Sequence, residues 1–166
     1  MTDRLYRILV LCTGNSCRSI LGEALFNHWG AGRLRACSAG SHPTGYVHPQ
    51  ALATLARHGL PTEGYVSKSW EVFREVSFDL VITVCDDAAG ESCPAYLGSA
   101  VRGHWGLPDP AKVMGTPEQI EAAFEATFAA LKKRVQRLLA LPVEGMARSE
   151  LAEAVRRIGV ESPRTG

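Results

Sequence analysis

The sequence has no apolar run approaching the roughly 18–20 residues that a membrane-crossing helix needs. The apolar stretch nearest its start covers only residues 8–12 (ILVLC). Residues 1–7 are polar, so no secretory leader is expected either, and the expected address is cytoplasmic. Charge of one sign is also missing: 18 Lys and Arg face 17 Asp and Glu, a formal net charge of +1. That balance gives no attraction for nucleic acid or an anionic membrane surface. The five cysteines, Cys12, Cys17, Cys37, Cys85 and Cys93, lack the paired short spacings of zinc ribbons and fingers, so no bound metal is expected. Their odd number and the expected reducing compartment argue against a structural disulfide framework. Internal repeats and low-complexity segments are absent as well. What remains for the cysteines is packing, or chemistry at sulfur.

The 166 residues are 46% apolar and 21% charged, a balance that reads as soluble and globular, with enough chain for one hydrophobic core. Residues 7–12 (RILVLC), 33–39, 79–85 and, more weakly, 100–105 read as buried strands. Helices are expected between them: over 16–29, with Ile20, Leu21, Ala24, Leu25 and Trp29 inward and Gly30 as its stop; over 48–58; and near 69–75. A long helix over 117–141 carries a stripe of Ile120, Phe124, Phe128, Leu131, Val135 and Leu138. Strands alternating with helices predict a small α/β domain with a parallel sheet covered by helices on both faces. It is assigned to residues 1–141. Residues 142–166 read as a helical appendage, capped by Ser149, closed by Gly159 and docked through Leu151, Val155 and Ile158 on the core or on a partner, with a frayed end.

One loop stands apart. In "VLCTGNSCRS" a buried strand ends in Cys12, and Thr13, Gly14, Asn15, Ser16 and Cys17 lead into a helix that carries Arg18 and Ser19. Backbone N–H groups at a helix N-terminus converge on whatever lies there, and with the helix dipole they favour an anion. The same field is expected to lower the pKa of Cys12 and make it a thiolate nucleophile. Arg18 adds a planar fork that matches two oxygens of a phosphate-like group. Ser19 is placed to donate to the Cys12 sulfur. Cys17 reads as a small packed residue of the first helical turn, its N–H part of the cradle. Cys37, on the second strand, reads as packed. Asp109, between two prolines in "HWGLPDPA", reads from the residues alone as a turn residue.

Residues 12–19 resemble the signature loop of the low-molecular-weight tyrosine phosphatase superfamily, which includes the thioredoxin-coupled arsenate reductases, and the resemblance spans about residues 6–140. It implies a flavodoxin-like fold with a four-stranded parallel sheet in the order 2-1-3-4, and it makes Asp109 the general acid. It also separates two activities. A phosphatase needs one thiolate and an acid, whereas a reductase relays two electrons through three cysteines. Cys85 and Cys93, in "VITVCDDAAGESCPAYLG", supply the other two. The implied sequence is attack of Cys12 on arsenate, attack of Cys85 on the Cys12 sulfur with release of arsenite, and attack of Cys93 on Cys85. Phosphate or sulfate would mimic the substrate. Ile20 and Ala111, which replace the proline and the aromatic residue usual in the phosphatases, lean the same way.

A continuous helix over residues 85–93 would hold the two cysteines roughly 12 Å apart, whereas a disulfide needs Cα atoms within about 7 Å. A mobile redox loop over 86–98 is therefore expected. Some relatives hold potassium through residues matching Asn15, Glu23 and Ser38 with a further acid. Here the corresponding stretch is Val66-Ser67-Lys68-Ser69, and Lys68 is expected to supply the positive charge instead. No cofactor is expected to be bound. Electrons are expected from an external thiol reductant, thioredoxin in the first place and glutaredoxin with glutathione as the alternative. The competing readings are an aryl phosphatase with a phosphocysteine intermediate and a non-enzymatic oxyanion or redox sensor. Anion binding alone needs neither a nucleophile nor an acid, which counts against the sensor.

Overall fold

A computed structural model describes residues 5–85 and 97–161. Cys93, residues 86–96 of the redox loop expected around it, the first four residues and the last five lie outside them. The first strand, β1 (Tyr6–Leu11), is the hinge of the architecture. Its residues Ile8, Leu9, Val10 and Leu11 are at most 1% exposed, as a strand covered on both faces requires. It pairs in parallel with β2 (Leu34–Ala39) on one side and β3 (Leu80–Thr83) on the other, and β4 (Val101–His104) pairs in parallel with β3. The order is β2-β1-β3-β4, the expected 2-1-3-4. Leu11 stands level with Ala39 and Thr83, so the residues that follow β1 and β3 emerge side by side at one sheet edge. Ligand sites in open α/β sheets form at such an edge.

Alternation along β1 divides the core. Ile8 and Val10 face a large cluster built with α1 (Arg18–Trp29), α2 (Pro49–Arg57), α3 (Pro117–Leu139) and α4 (Arg148–Glu161). Leu9 and Leu11 face a smaller one, covered in part by Trp70 and Phe73. The helix starts follow local chemistry. Thr116 and Gln119 form a reciprocal capping box with Pro117 in the first turn of α3. Asn27 of α1 reaches the outer edge of β2, where its amide accepts from the Ala36 N–H at 2.8 Å and donates to the Ala36 carbonyl at 2.9 Å. One side chain thus stands in for a missing neighbour strand.

Several expectations are corrected. The first helix begins at Arg18, not Ser16, because the Ser16 carbonyl is taken by the His48 N–H at 2.9 Å and the chain is still looping there. The helix expected near 69–75 is a single 3-10 turn, Trp70–Phe73, capped by Ser69. Trp29 is 46% exposed, with its ring 5.6 Å beneath the Lys132 ammonium; an amphipathic indole at a helix end finds that contact outside the core. Ser149 lies inside α4, and the Glu150 carboxylate caps the helix by accepting from the Ala147 N–H at 3.0 Å.

Gly159 does not stop α4 either; it lets the helix approach β4. A Cβ there would come within 2.7 Å of the His104 carbonyl and 2.8 Å of the Trp105 ring. Leu151, Val155 and Ile158 are buried as expected, and the Trp105 indole donates to the Val155 carbonyl at 2.9 Å. The appendage is docked on the core.

Candidate active site

The loop between β1 and α1 is shaped by where its carbonyls point. Thr13 O accepts from the His42 N–H at 2.9 Å, Gly14 O from the Thr44 N–H at 3.0 Å, and Ser16 O from the His48 N–H. The Ser67 hydroxyl adds a second bond to Gly14 O at 3.1 Å. With the carbonyls tied to residues outside the loop, the amides of Gly14, Asn15, Ser16 and Cys17 have no acceptor among the described residues. Such a ring of free N–H groups at the start of a helix is an oxyanion cradle. Gly40 permits the close packing behind it, since a Cβ there would fall 2.4 Å from Thr13 O and 2.6 Å from Cys12 O.

Asn15 makes the turn with φ of 47°, in the left-handed region that asparagine tolerates better than most residues. Its fully buried side chain organises the nucleophile. Its Nδ2 donates to Ser19 Oγ at 2.8 Å and to Ser38 Oγ at 3.0 Å, and its Oδ1 accepts from the Lys68 N–H at 2.8 Å. Because Ser19 Oγ accepts from Asn15, its own proton is directed at Cys12 Sγ, 3.1 Å away. Ser38 in turn donates to Glu23 at 2.5 Å. Burial pushes the Glu23 carboxyl up, while the Ser38 bond and the charge of Lys68 oppose it. Lys68 thus brings positive charge to this acid.

Cys12 and Cys85 meet. The Thr13 N–H donates to Cys85 Sγ at 3.3 Å, and the Thr13 hydroxyl lies 3.7 Å from it. Both thiols are buried. This pairing reverses one expectation: the Cys12 thiol is pushed well above the ordinary cysteine range, not below it. The hydrogen bond with Cys85 is the largest cause and burial the next, and together they outweigh Ser19. Two sulfurs in one dry pocket cannot both carry charge.

Arg18 joins the cradle to the segment that bears Asp109. Its Nη1 donates to Leu107 O at 2.9 Å and its Nη2 lies 3.4 Å from Asp109 Oδ2. Its Nε is buried with no hydrogen-bond partner among the described residues, a donor left for an anion. Asp109 also caps the 3-10 turn Pro110–Lys112, with Oδ1 accepting from the Ala111 N–H at 2.9 Å. It is therefore a turn residue and a carboxylate at the anion site at once. Cys17 Sγ lies 3.7 Å from that same oxygen and donates to it. Burial, and then the Asp109 charge, push its thiol up to about 11, which makes it a proton donor and no nucleophile. Cys37, half-buried on β2, packs against the smaller core cluster.

Cys12, Cys17, Arg18, Ser19, Cys85 and Asp109 are thus linked around one loop. The outward ties from His42, Thr44, His48 and Ser67 escaped the sequence reading, because three of them are backbone groups that carry no residue signature.

Comparisons with known proteins agree with this geometry. Residues 7–144 match the family described as low molecular weight phosphotyrosine protein phosphatase. An arsenate reductase of Halalkalibacterium halodurans is 35% identical over 129 residues, covering 78% of this chain and 91% of that protein. A glutaredoxin arsenate reductase of Synechocystis is 28% identical over 134 residues, covering 81% and 96%. The solved structure of an arsenate reductase in the phosphate binding state superposes with a TM-score of 0.70 at 28% identity, covering 82% and 98%.

Proposed function

The chain belongs to the low molecular weight phosphotyrosine protein phosphatase family, and within it we propose that this chain is an arsenate reductase. The observation that carries the reading is a second buried thiol, Cys85, held by the Thr13 amide beside the nucleophile Cys12. A phosphatase has no use for it. Arsenate sits in the cradle with two oxygens on Arg18. The Cys12 thiolate attacks arsenic, a sulfur–arsenic bond forms, and water leaves with a proton from Asp109. The Cys85 thiolate then attacks Cys12 Sγ. The sulfur–arsenic bond breaks toward arsenic, which takes the electron pair, falls from the pentavalent to the trivalent state and departs as arsenite. A Cys12–Cys85 disulfide remains.

The hydrogen bond between the two sulfurs, which lets only one of them give up its proton, orders these steps. Once Cys12 is bonded to arsenic it carries no charge, and the obstacle it posed to a Cys85 thiolate disappears. Cys93 then attacks Cys85, frees Cys12 and leaves a Cys85–Cys93 disulfide for an external dithiol. No bound cofactor takes part. Thioredoxin is the reductant favoured here; the Synechocystis relative's name favours glutaredoxin as the alternative. A reducing cytoplasm suits such chemistry, and among the described residues no helix is long and apolar enough to cross a membrane.

The test is arsenite formation with a thioredoxin system, a glutaredoxin–glutathione system and neither, in wild type, Cys85→Ser and Cys93→Ser. Wild type should turn over with a thiol system only, and both variants should stop after at most one turnover. Full turnover in either variant would remove it from the relay. Brisk aryl phosphate hydrolysis with no arsenite from wild type would move the chain to the phosphatases.

A further inference from the structure

Arg134 is the one charged side chain among the described residues that is fully buried, at 0% exposed. It lies on α3 in the inward stripe, with Leu131, Val135 and Leu138 around it. A buried guanidinium costs several kcal/mol unless it is engaged, and Arg134 is engaged, one of its contacts lying on the acid segment. Its Nη1 points at the carbonyl of Gly106, 3.5 Å away. Gly106 belongs to the segment that continues β4 toward Asp109. The amides of that segment are held by the sheet, Trp105 N–H on Thr83 O at 2.7 Å and Leu107 N–H on Val84 O at 3.1 Å. Its next two carbonyls are held by arginines: Gly106 O by Arg134 of α3, and Leu107 O by Arg18 of α1. Two residues later comes Asp109.

We infer that Arg134 is a positioning residue for the general acid. It touches no reacting atom. It fixes the carbonyl three residues before Asp109, and so the path that brings the carboxyl to the leaving oxygen. Arg18 has two tasks, since its Nη1 holds Leu107 O while its Nε is left for an anion in the cradle. Arg134, shut away from the cradle, keeps its grip through the whole cycle. This rests on the acid role proposed above for Asp109.

The experiment is a double-mutant cycle on arsenate turnover, with Arg134→Met, Arg134→Lys, Asp109→Asn and the Arg134→Met/Asp109→Asn pair. Methionine keeps most of the volume without the charge, but removing one member of a buried polar set costs stability; circular dichroism and thermal melting therefore confirm that each variant is folded at the assay temperature, and Arg134→Lys, which keeps the charge, reads the same position without that loss. Arg134→Met should lower kcat roughly 10- to 100-fold while KM for arsenate stays within about threefold, since acid misplacement spares the cradle. In the Asp109→Asn background the same change should cost less than about twofold, because the group it positions is gone. Arg134→Lys should recover part of the rate. Equal losses in both backgrounds, a rise in KM with kcat intact, or a lysine variant no better than methionine would each overturn the inference. If wild type makes no arsenite, the proposed function fails. The cycle is then run on aryl phosphate hydrolysis, whose leaving oxygen needs the same acid, and is judged by the same outcomes.

Discussion

The loop of residues 12–17 has its carbonyls tied mostly to backbone amides, whereas the segment 105–109, its amides paired with the sheet, has its carbonyls held by side chains that reach it from two helices. In the first, outward carbonyls are tied to His42, Thr44, His48 and Ser67, each bond contributing about 1 kcal/mol, and the amides left over form the cradle. In the second, the guanidiniums of Arg18 and Arg134 take successive carbonyls. The difference teaches where each part is vulnerable. A cradle made of peptide groups answers to whatever moves the backbone, even a residue with no polar atom to offer. An acid segment whose carbonyls are held by side chains answers to deletion of those side chains.

Gly40→Ala should break the cradle most severely. The added carbon would meet two backbone carbonyls, Thr13 O at 2.4 Å and Cys12 O at 2.6 Å, neither of which can swing aside as a side chain would. The loop has to shift, and a shift of about 1 Å in a positioned site costs on the order of 100-fold. We expect kcat/KM for arsenate to fall by about that factor, with KM rising, and phosphate to lose its competition. This is the opposite split from the one expected for Arg134. A KM unchanged by Gly40→Ala would mean that the cradle tolerates backbone motion.

The ionisation of Cys12 sharpens the comparison, since it depends on both a local and a distant partner. Cys85 pushes its pKa up and Ser19 pulls it down. Cys85→Ala should therefore let Cys12 ionise at lower pH, and Ser19→Ala should defer ionisation to higher pH. The rate of Cys12 alkylation by iodoacetamide against pH checks both, because only the thiolate reacts. Shifts of the same sign in the two variants would contradict the arrangement of the sulfurs.

The local half of this arrangement is legible in the sequence and the distant half is not. Cys12, Gly14, Arg18 and Ser19 lie within eight consecutive residues after a buried strand, so spacing alone brings out the cradle. The lowered pKa expected from it is wrong, because the dominant neighbour arrives from the end of β3. Arg134 is invisible in another way. It closes the run Lys132-Lys133-Arg134, in which nothing local distinguishes one residue from the next, and only the packing of α3 buries the third of them. Trp29, Ser149 and Gly159 were misread at element ends, where the neighbour packed alongside decides the outcome and local propensity decides little. The sheet order came through family resemblance; periodicity shows strands but not their neighbours.

The smallest effect on activity is expected where α4 crosses β4, against the start of the acid segment and away from Asp109 itself. Gly159→Ala places a carbon 2.7 Å from the His104 carbonyl and 2.8 Å from the Trp105 ring. Alanine favours a helix over glycine by nearly 1 kcal/mol, so propensity alone predicts stabilisation. Overpacking against a backbone carbonyl costs about 1–3 kcal/mol, and the carbonyl cannot retreat without dragging β4. The clash should win, with a net loss of up to about 2 kcal/mol after that offset and a Tm lower by a few degrees. Arsenate kcat should stay within about twofold, because the amides of Trp105 and Leu107 remain on β3 and its continuation and the carbonyls that follow remain on the arginines. A rise in Tm would show that α4 lies looser on β4 than these distances imply. A fall in kcat with Tm unchanged would make the helix part of the acid segment's support, and the division between backbone-held and side-chain-held loops would then extend to a third element.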